Sequence, residues 1–242
     1  MKRARETAFV LTAGLLLASA SASGTALVQL PATPAATVNS TEQAAALDQR
    51  VEAFLERSRR SWRDANVPAV DGQTLFDIIV EHGYTRAVEV GTSTGHSGVW
   101  IAWALSKTGG KLITIEIDEG RHDTAVANFE EAGLSPWIDA RLGDAHELVP
   151  ELAGSFDFVF VDADKEWYTQ YLRALLPKLE DGGCFTAHNV ADPATSQSRR
   201  RGGGMAPDFV REILETPGLE TEFFTSGGGL SVSFLRRSSG SP

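Results

Sequence analysis

A glycine-bounded turn between a strand pattern and a helix pattern most constrains how this chain can fold. Residues 87–90 predict a short apolar strand that carries one carboxylate, Glu89. The turn from Gly91 to Gly95 follows, and a helix pattern begins at His96. Glycines let the backbone approach a ligand closely, and the free N–H groups of a helix start face that ligand. The stretch therefore predicts a site for a nucleotide-like ligand.

The spacing of the turn argues against a dinucleotide. It reads Glu-x-Gly-x-x-x-Gly, and Ser93 stands where the dinucleotide fingerprint has its additional glycine. That glycine lets the backbone approach a pyrophosphate. We therefore expect a ligand without a pyrophosphate, which counts against a nicotinamide dehydrogenase.

Strand and helix patterns alternate after the turn, which is typical of a parallel sheet covered by helices on both faces. The predicted strands are residues 87–90, 111–117, 138–142, 156–161 and 183–187. The helices between them are residues 96–106, 120–132, 145–152 and 167–179, and two more are predicted upstream, at 41–63 and 71–80. A helix at 209–214 and two strands at 219–224 and 230–235, joined through three glycines, predict a closing hairpin.

The N-terminus has the outline of a secretory signal. A basic start is followed by an apolar run over residues 8–18 and by small residues typical of a cleavage site. We expect a signal peptide or membrane anchor over residues 1–22, a flexible linker over 23–40 and one domain over 41–237. The protein would then be exported to the periplasm or secreted, or anchored in a membrane through this segment alone. If the start codon is wrongly assigned, it would be cytoplasmic.

Composition excludes some functions. The formal net charge of −10 argues against a nucleic-acid partner. The single cysteine, Cys184, cannot form an internal disulfide, and its apolar surroundings predict a buried, inert thiol.

Polar residues stand at the carboxyl end of each predicted parallel strand, which is where ligands bind in open α/β sheets. They are Glu89, Glu116, Asp144, the segment 162–165 with Asp162 and Lys165, and the pair His188-Asn189. Glu116 follows the glycine turn at a distance typical of a carboxylate that binds ribose hydroxyls. These side chains predict one ligand site along a single edge of the sheet.

The chain resembles the cation-dependent O-methyltransferases that use S-adenosylmethionine, the group of catechol and caffeoyl-CoA O-methyltransferases. The matching motifs are Asp71-Gly72-Gln73, VEVGTSTGHS at 88–97, IEID at 115–118, FDFVFVDADK at 156–165 and GGL at 228–230. The resemblance implies a Rossmann-like class I methyltransferase. Its seven-stranded, mostly parallel sheet would carry a C-terminal antiparallel hairpin and helices on both faces.

The resemblance also implies roles for individual residues. The turn would hold the methionine part of S-adenosylmethionine, Glu116 its ribose and Asp144-Ala145 its adenine. The cofactor-binding residues would be Glu89, Gly91, Thr92, Ser93, Gly95, Ser97, Glu116, Asp144, Ala145 and Asp162. Asp162, His188 and Asn189 match ligands of the divalent cation, and Lys165 matches the general base. His146, next to Ala145, is assigned no role.

The chemistry supports these roles, with alternatives. Transfer of a methyl group from a sulfonium requires an oxyanion, and a cation bound to a hydroxyl lowers its pKa. Lys165 would take the hydroxyl proton. The alternative for Lys165 is a surface ion pair with Asp164.

His188 departs from the family pattern, which has an aspartate there. Exchanging a carboxylate for an imidazole favours Mn²⁺, Fe²⁺, Co²⁺ or Zn²⁺ over Mg²⁺. Two other interpretations stay open. His188 itself takes the proton without a metal, or it is a hydrogen-bonded histidine without a catalytic role.

Two functions of different classes follow. The first is an O-methyltransferase that acts on a small hydroxylated acceptor, catechol-like or otherwise aromatic. The second is a non-catalytic module that binds S-adenosylmethionine. For the helix at 41–63, a lid over the site and a contact in a homodimer both stay open.

Overall fold

The structure is a computed structural model that describes residues 35–60, 66–190, 192–193 and 206–237. The predicted signal or anchor at 1–22 and residues 23–34 of the predicted linker lie outside these ranges. Within the described ranges, no helix combines the length and the apolar character that crossing a membrane requires.

A seven-stranded sheet forms the centre of the molecule, in the order β3-β2-β1-β4-β5-β7-β6. Its strands are β1 (Arg86–Val90), β2 (Lys111–Glu116), β3 (Ile138–Leu142), β4 (Phe156–Val161), β5 (Leu179–His188), β6 (Leu219–Phe224) and β7 (Leu230–Leu235). The helices are α1 (Ala35–Ser58), α2 (Ala69–His82), α3 (His96–Thr108), α4 (Glu119–Ala132), α5 (Ala145–Glu151), α6 (Tyr168–Leu175) and α7 (Pro207–Glu215).

Strands β1 to β5 run parallel, β7 pairs antiparallel with β5, and β6 pairs antiparallel with β7. The predicted fold, a mostly parallel sheet closed by a C-terminal hairpin, is therefore confirmed. The strand order reverses between β1 and β4, and open α/β sheets bind their ligands beyond the strand ends at such a point.

Strand β4 is buried on both faces, which is why its sequence is apolar without alternation. Val159 and Val161 pack into one cluster with α6 and α7. Phe158 and Phe160 point to the other face and pack with α2 and α3. The apolar run thus anchors both helical layers and fixes the position of the polar segment that follows it. Cys184 on β5 is buried as predicted, and burial raises the pKa of its thiol.

Four predicted boundaries were wrong. Helix α6 ends at Leu175 and β5 already begins at Leu179, because Pro177 cannot donate to a helical hydrogen bond. Helix α1 begins at Ala35, so the end of the predicted linker is helical, and it ends at Ser58. Its alanine-rich sequence favours helix before the predicted start at residue 41.

Helix α1 packs beside α3 and α4 rather than over the strand ends. Its Arg50 donates to the main-chain oxygens of Glu130 and Glu131 at the end of α4, at 2.7 and 2.8 Å. Trp103 Nε1 on α3 donates to Asp48 Oδ1 at 2.7 Å. These contacts give the described part of α1 a packing role, and the homodimer stays a prediction.

Candidate active site

A cavity of about 710 Å³ lies beyond the carboxyl ends of the parallel strands. The predicted site residues among those that line it are Gly91, Ser93, Glu116, Asp144, Ala145, Asp162, Lys165, His188 and Asn189. Asn66, Arg121 and Tyr171 line it as well and were not predicted. Asp164, from the predicted segment 162–165, and His146, which was assigned no role, also line it. The other predicted cofactor-binding residues are buried and do not line the cavity. Thr92 and Gly95 belong to the turn itself, and Glu89 and Ser97 flank it.

The glycine turn needs its two bounding glycines. Gly91 has a φ of 94°, and a Cβ there would lie 2.3 Å from the main-chain oxygen of Asp162. Gly95 has a φ of 98°, and its Cβ would lie 2.8 Å from the ring of Phe129. No L side chain fits either position without displacing its neighbour. The turn is therefore held tightly against β4 and α4, with Ser93 at a φ of 49° between the glycines.

Glu116 at the end of β2 ties the turn to the neighbouring strand. Its Oε2 accepts from the main-chain N–H of Ser93 at 2.7 Å. Its Oε1 accepts from the N–H groups of Ile117 and Asp118 at 3.1 and 3.0 Å. Three main-chain N–H groups thus hold this carboxylate in place. The residue also lines the cavity, where a diol could donate to it.

Glu89 is fully buried beneath the turn. Its Oε2 accepts from Thr114 Oγ1 at 2.5 Å, whereas Oε1 has no hydrogen-bond partner within the described ranges. Burial raises the pKa of Glu89 to about 7, against the lowering effect of hydrogen bonds from Ser97 and Thr114. A buried carboxyl with a spare oxygen can stabilise positive charge on a ligand held by the turn.

The far wall of the cavity contains an aromatic stack. The ring of His146 lies on that of Trp167, with centroids 3.6 Å apart. Asp164 accepts from Tyr171 Oη at 2.8 Å and contacts His146 Nε2 at 3.0 Å. Asp144, one of the two residues predicted at the adenine, caps α5 by accepting from the His146 N–H at 2.8 Å. The sequence contained no signal that would place Trp167 against His146.

Lys165 points into the same cavity from the segment after β4. Its Nζ donates to Asp162 Oδ1 at 2.8 Å, to Tyr168 Oη at 2.6 Å and to the Ala163 main-chain oxygen at 3.3 Å. Tyr168 Oη in turn donates to the main-chain oxygen of His188 at 3.1 Å. The alternative of an ion pair between Lys165 and Asp164 was wrong, because Lys165 pairs with Asp162 instead.

His188 lies between two carboxylates. Its Nδ1 is 3.0 Å from Asp162 Oδ2, and its Nε2 is 3.0 Å from Asp71 Oδ2. Burial lowers the pKa of the ring, but the hydrogen bonds with Asp162 and Asp71 outweigh it and raise the pKa to about 9. Burial raises the pKa of Asp162, but the hydrogen bonds with His188 and Lys165 lower it by more. The pKa of Asp162 is therefore lowered overall. Asp71 belongs to one of the matching sequence motifs, but its contact with His188 was not predicted.

The hairpin between β6 and β7 closes the other side of His188. The N–H of Gly228 donates to Asp71 Oδ2 at 2.7 Å. A Cβ at Gly228 would lie 2.5 Å from His188 Nε2, so only glycine lets the loop pack this closely. Asn189, at a φ of 55°, turns the chain away from β5 and lines the cavity.

The residues predicted to hold a divalent cation do not fit one in this arrangement. Both oxygens of Asp162 and both ring nitrogens of His188 already have partners in the protein. The described part of the chain contains no group of three or more acidic, histidine or cysteine side chains arranged around a metal position. Asn189 offers only one neutral amide oxygen, which is too few ligands for a hard cation.

The chain is similar to known methyltransferases in sequence. The family model described as O-methyltransferase matches residues 37–197. A catechol O-methyltransferase of Niastella koreensis is 40% identical over 107 residues, 43% of this chain and 48% of that protein. Caffeoyl-CoA O-methyltransferase 1 of Arabidopsis thaliana is 30% identical over 192 residues, 72% of this chain and 73% of that protein. Several of the caffeoyl-CoA relatives are matched over only about half of their length.

The fold is similar to solved structures as well. The O-methyltransferase of Bacillus cereus, solved in complex with SAH, has a TM-score of 0.64 at 24% identity. The likeness covers 78% of this chain and 91% of that one. The family model spans most of the chain, and the glycine turn, Glu116 and Lys165 share one cavity, so the chain belongs to the O-methyltransferase family.

Proposed function

We propose that this protein transfers the methyl group of S-adenosylmethionine to a hydroxyl oxygen of a small aromatic acceptor. The observation that carries the proposal is that Lys165 opens into the same cavity as the glycine turn and Glu116. One end of the cavity thus suits a nucleoside with an amino-acid tail. The other end presents a basic side chain to the acceptor.

S-adenosylmethionine suits the cofactor end of the cavity. Its ribose diol can donate to the Glu116 carboxylate, and its methionine part can lie along the turn without requiring a pyrophosphate site. The Bacillus cereus structure with a similar fold was solved with SAH, the product of such a donor.

The reaction is a direct displacement. The acceptor oxygen forms a bond to the methyl carbon as the carbon–sulfur bond breaks, and the sulfonium becomes a neutral thioether. The hydroxyl proton passes to the amine of Lys165, which has to be neutral at that moment, and then to solvent. Asp162 and Tyr168 hold Nζ in place for this transfer. No step passes through a divalent cation, because the donor atoms of Asp162 and His188 are already engaged.

The relatives support an aromatic acceptor. The matched proteins are named for catechol and caffeoyl-CoA, both aromatic compounds that carry a ring hydroxyl group. We propose an acceptor with vicinal oxygens on an aromatic ring. Three expectations stay predictions. They are export or membrane anchoring through residues 1–22, a cytoplasmic location if the start codon is wrongly assigned, and the homodimer.

Methyl transfer is tested with the purified chain, S-adenosylmethionine, and catechol or caffeoyl-CoA as acceptor. We expect formation of S-adenosylhomocysteine that depends on acceptor and falls sharply in Lys165→Met. Calorimetry measures cofactor binding in parallel. If the protein binds S-adenosylmethionine but methylates no aromatic acceptor with vicinal oxygens, the non-catalytic module is supported instead. His188 favours that alternative because it replaces the family's aspartate. The predicted export also favours it, because little cofactor is present outside cells.

A further inference from the structure

We infer that the bridge Asp71–His188–Asp162 takes the place of a bound divalent cation, so that this protein transfers methyl groups without a metal ion. The inference rests on the proposed methyl transfer, but its central measurement, metal binding, does not require turnover. It follows from the donors, the charges and the packing around His188.

Both nitrogens of the His188 ring already have partners in the protein. Each of its nitrogens lies 3.0 Å from a carboxylate oxygen, Asp162 Oδ2 on one side and Asp71 Oδ2 on the other. Ionised carboxylates only accept hydrogen bonds, so a ring that bridges two of them donates from both nitrogens. A metal ligand must instead present a nitrogen without a proton.

Asp162 is equally engaged. Its Oδ1 accepts from Lys165 Nζ at 2.8 Å, and its Oδ2 accepts from His188. A cation that bound this carboxylate would have to displace Lys165 or His188. The remaining predicted ligand, Asn189, supplies a single neutral amide.

The acidic side chains of this cluster already have partners. Asp71 and Asp162 both lie against His188, and Asp162 also pairs with Lys165. Asp71 and His188 are 1% and 3% exposed, so these contacts are shielded from solvent. A divalent cation could reach either carboxylate only by breaking a contact of this buried cluster, and breaking a buried pair is strongly unfavourable.

The packing keeps the ring in this position. The N–H of Gly228 fixes Asp71 Oδ2 at 2.7 Å, and the backbone of Gly228 lies directly against His188 Nε2. The hairpin therefore limits movement of the ring on the side of Asp71. Asp71 and Gly228 are positioning residues for His188.

The competing arrangement uses the same atoms differently. A neutral His188 would donate from Nε2 to Asp71 and bind a cation through Nδ1 beside Asp162, as in carboxylate–histidine–metal sites. That arrangement predicts a stoichiometric metal, whereas the bridge predicts none. The two are distinguished by measuring metal binding.

The first experiment is calorimetric titration of the chelator-treated full chain, saturated with S-adenosylhomocysteine, with MgCl₂, MnCl₂ and ZnCl₂. Elemental analysis of the untreated protein accompanies it, and Asp162→Asn gives the background from surface sites. We expect the parent and Asp162→Asn to bind metal equally weakly. One equivalent of metal that binds to the parent and is lost in Asp162→Asn would overturn the inference.

The second experiment rebuilds an oxygen site. The double variant His188→Asp, Asp71→Asn removes the bridge and keeps the volume of Asp71, and circular dichroism checks that it is folded. We expect it to bind one Mn²⁺ at least about tenfold more tightly than the parent, since hard cations prefer carboxylate ligands. The inference fails if the folded double variant binds Mn²⁺ no more tightly than the parent. It also fails if Asp71→Asn alone gains the same affinity, because His188 would then not be the residue that takes the place of the cation.

Turnover gives an independent readout. S-adenosylhomocysteine formation by the parent should be unchanged, within about twofold, when EDTA replaces the metal salts, because no bound metal supplies the oxyanion stabilisation. Loss of turnover on chelation with recovery on metal addition would overturn the inference. If no acceptor is methylated in either condition, the proposed function fails, and the two binding experiments still decide whether the bridge excludes a metal.

Discussion

His188 Nε2 lies 3.0 Å from Asp71 Oδ2, although the two residues are 117 positions apart in the chain. The contact joins the end of β5 to the first turn of α2. Both side chains are almost completely buried. A buried carboxylate that loses its partner is left without compensation for its lost hydration, so the pair makes stability and site geometry depend on each other.

Asp71→Asn should therefore be strongly destabilising. We expect the free energy of unfolding to fall by about 3 kcal/mol, because one partner of a buried pair is removed. Asp77→Asn on the same helix is the matched control. Asp77 is exposed and accepts from the exposed Gln73, so its substitution should cost under about 0.5 kcal/mol. Urea unfolding followed by circular dichroism measures both. Similar costs for the two variants would contradict a buried pair.

Lys165→Met should separate catalysis from cofactor binding. Removing the proton acceptor should lower kcat at least about 100-fold. The dissociation constant for S-adenosylmethionine should change less than about threefold, since Lys165 is placed at the acceptor end of the cavity. Lys111→Met, at the amino end of β2, is the control and should leave both constants unchanged. Equal losses of binding and turnover in Lys165→Met would remove it from the proton-transfer step.

Glu116→Gln should weaken cofactor binding. The amide retains one acceptor oxygen for the three N–H groups that now bind the carboxylate, and its NH₂ group repels the remaining donors. We expect the dissociation constant for S-adenosylmethionine to rise about tenfold or more, as for loss of a charge-assisted hydrogen bond. Glu119→Gln in the first turn of α4 is the control. Calorimetry that finds the two variants alike would argue against Glu116 at the ribose.

Gly91→Ala should cost more than backbone strain alone. Gly154 provides the comparison, because its φ of 95° nearly equals the 94° of Gly91, but its Cβ would meet nothing within 4 Å. Gly154→Ala should cost about 1–2 kcal/mol from the left-handed backbone. Gly91→Ala adds a clash with the main chain of Asp162 and should cost at least about 1 kcal/mol more. Thermal and urea unfolding compare the variants, and equal costs would exclude the close approach.

Glu89 should make stability depend on pH. Its pKa is raised from 4.5 to about 7 in the folded protein. A raised pKa means that the folded state holds its proton more tightly, so this stabilisation is complete below pH 4.5 and is lost as the pH rises through 7. Relative to Glu89→Gln, the parent without cofactor should lose up to about 3 kcal/mol between pH 4.5 and pH 7.5.

Urea unfolding of the parent and of Glu89→Gln at pH 5, 6, 7 and 8 gives this difference directly. The amide variant has no ionisable group at this position, so all other titrating groups cancel in the comparison. Two curves that stay parallel across this range would show that Glu89 ionises normally.

Most of the fold could be predicted from local patterns. The apolar run of β4 and the glycines of the turn specify a buried parallel strand and a close backbone approach, because burial on two faces and a positive φ admit few residue types. The boundary between α6 and β5 was misplaced, because residues 176–178 form a further turn of tighter helix there. Local apolar periodicity does not distinguish such a turn from a continuing helix.

The site was predictable in part. Residues that end neighbouring parallel strands, such as Glu116 and Lys165, reach one cavity because parallel strands present their carboxyl ends at the same edge. The stack of His146 on Trp167 was not predictable, since it depends on how α5 and the segment before α6 pack. The partner of Lys165 was likewise decided by packing, which brings Nζ to Asp162 rather than to the adjacent Asp164.

The sequence by itself therefore determined the sheet, the glycine turn and the set of polar residues at the strand ends, because these depend on local backbone and burial preferences. Only the tertiary structure decided what His188 does. Asp71 comes from α2 and Gly228 from the closing hairpin, and neither is near His188 in sequence. The hydrogen-bond partners of a side chain can come from elements that meet only in the folded chain. For His188, folding places a carboxylate against each ring nitrogen.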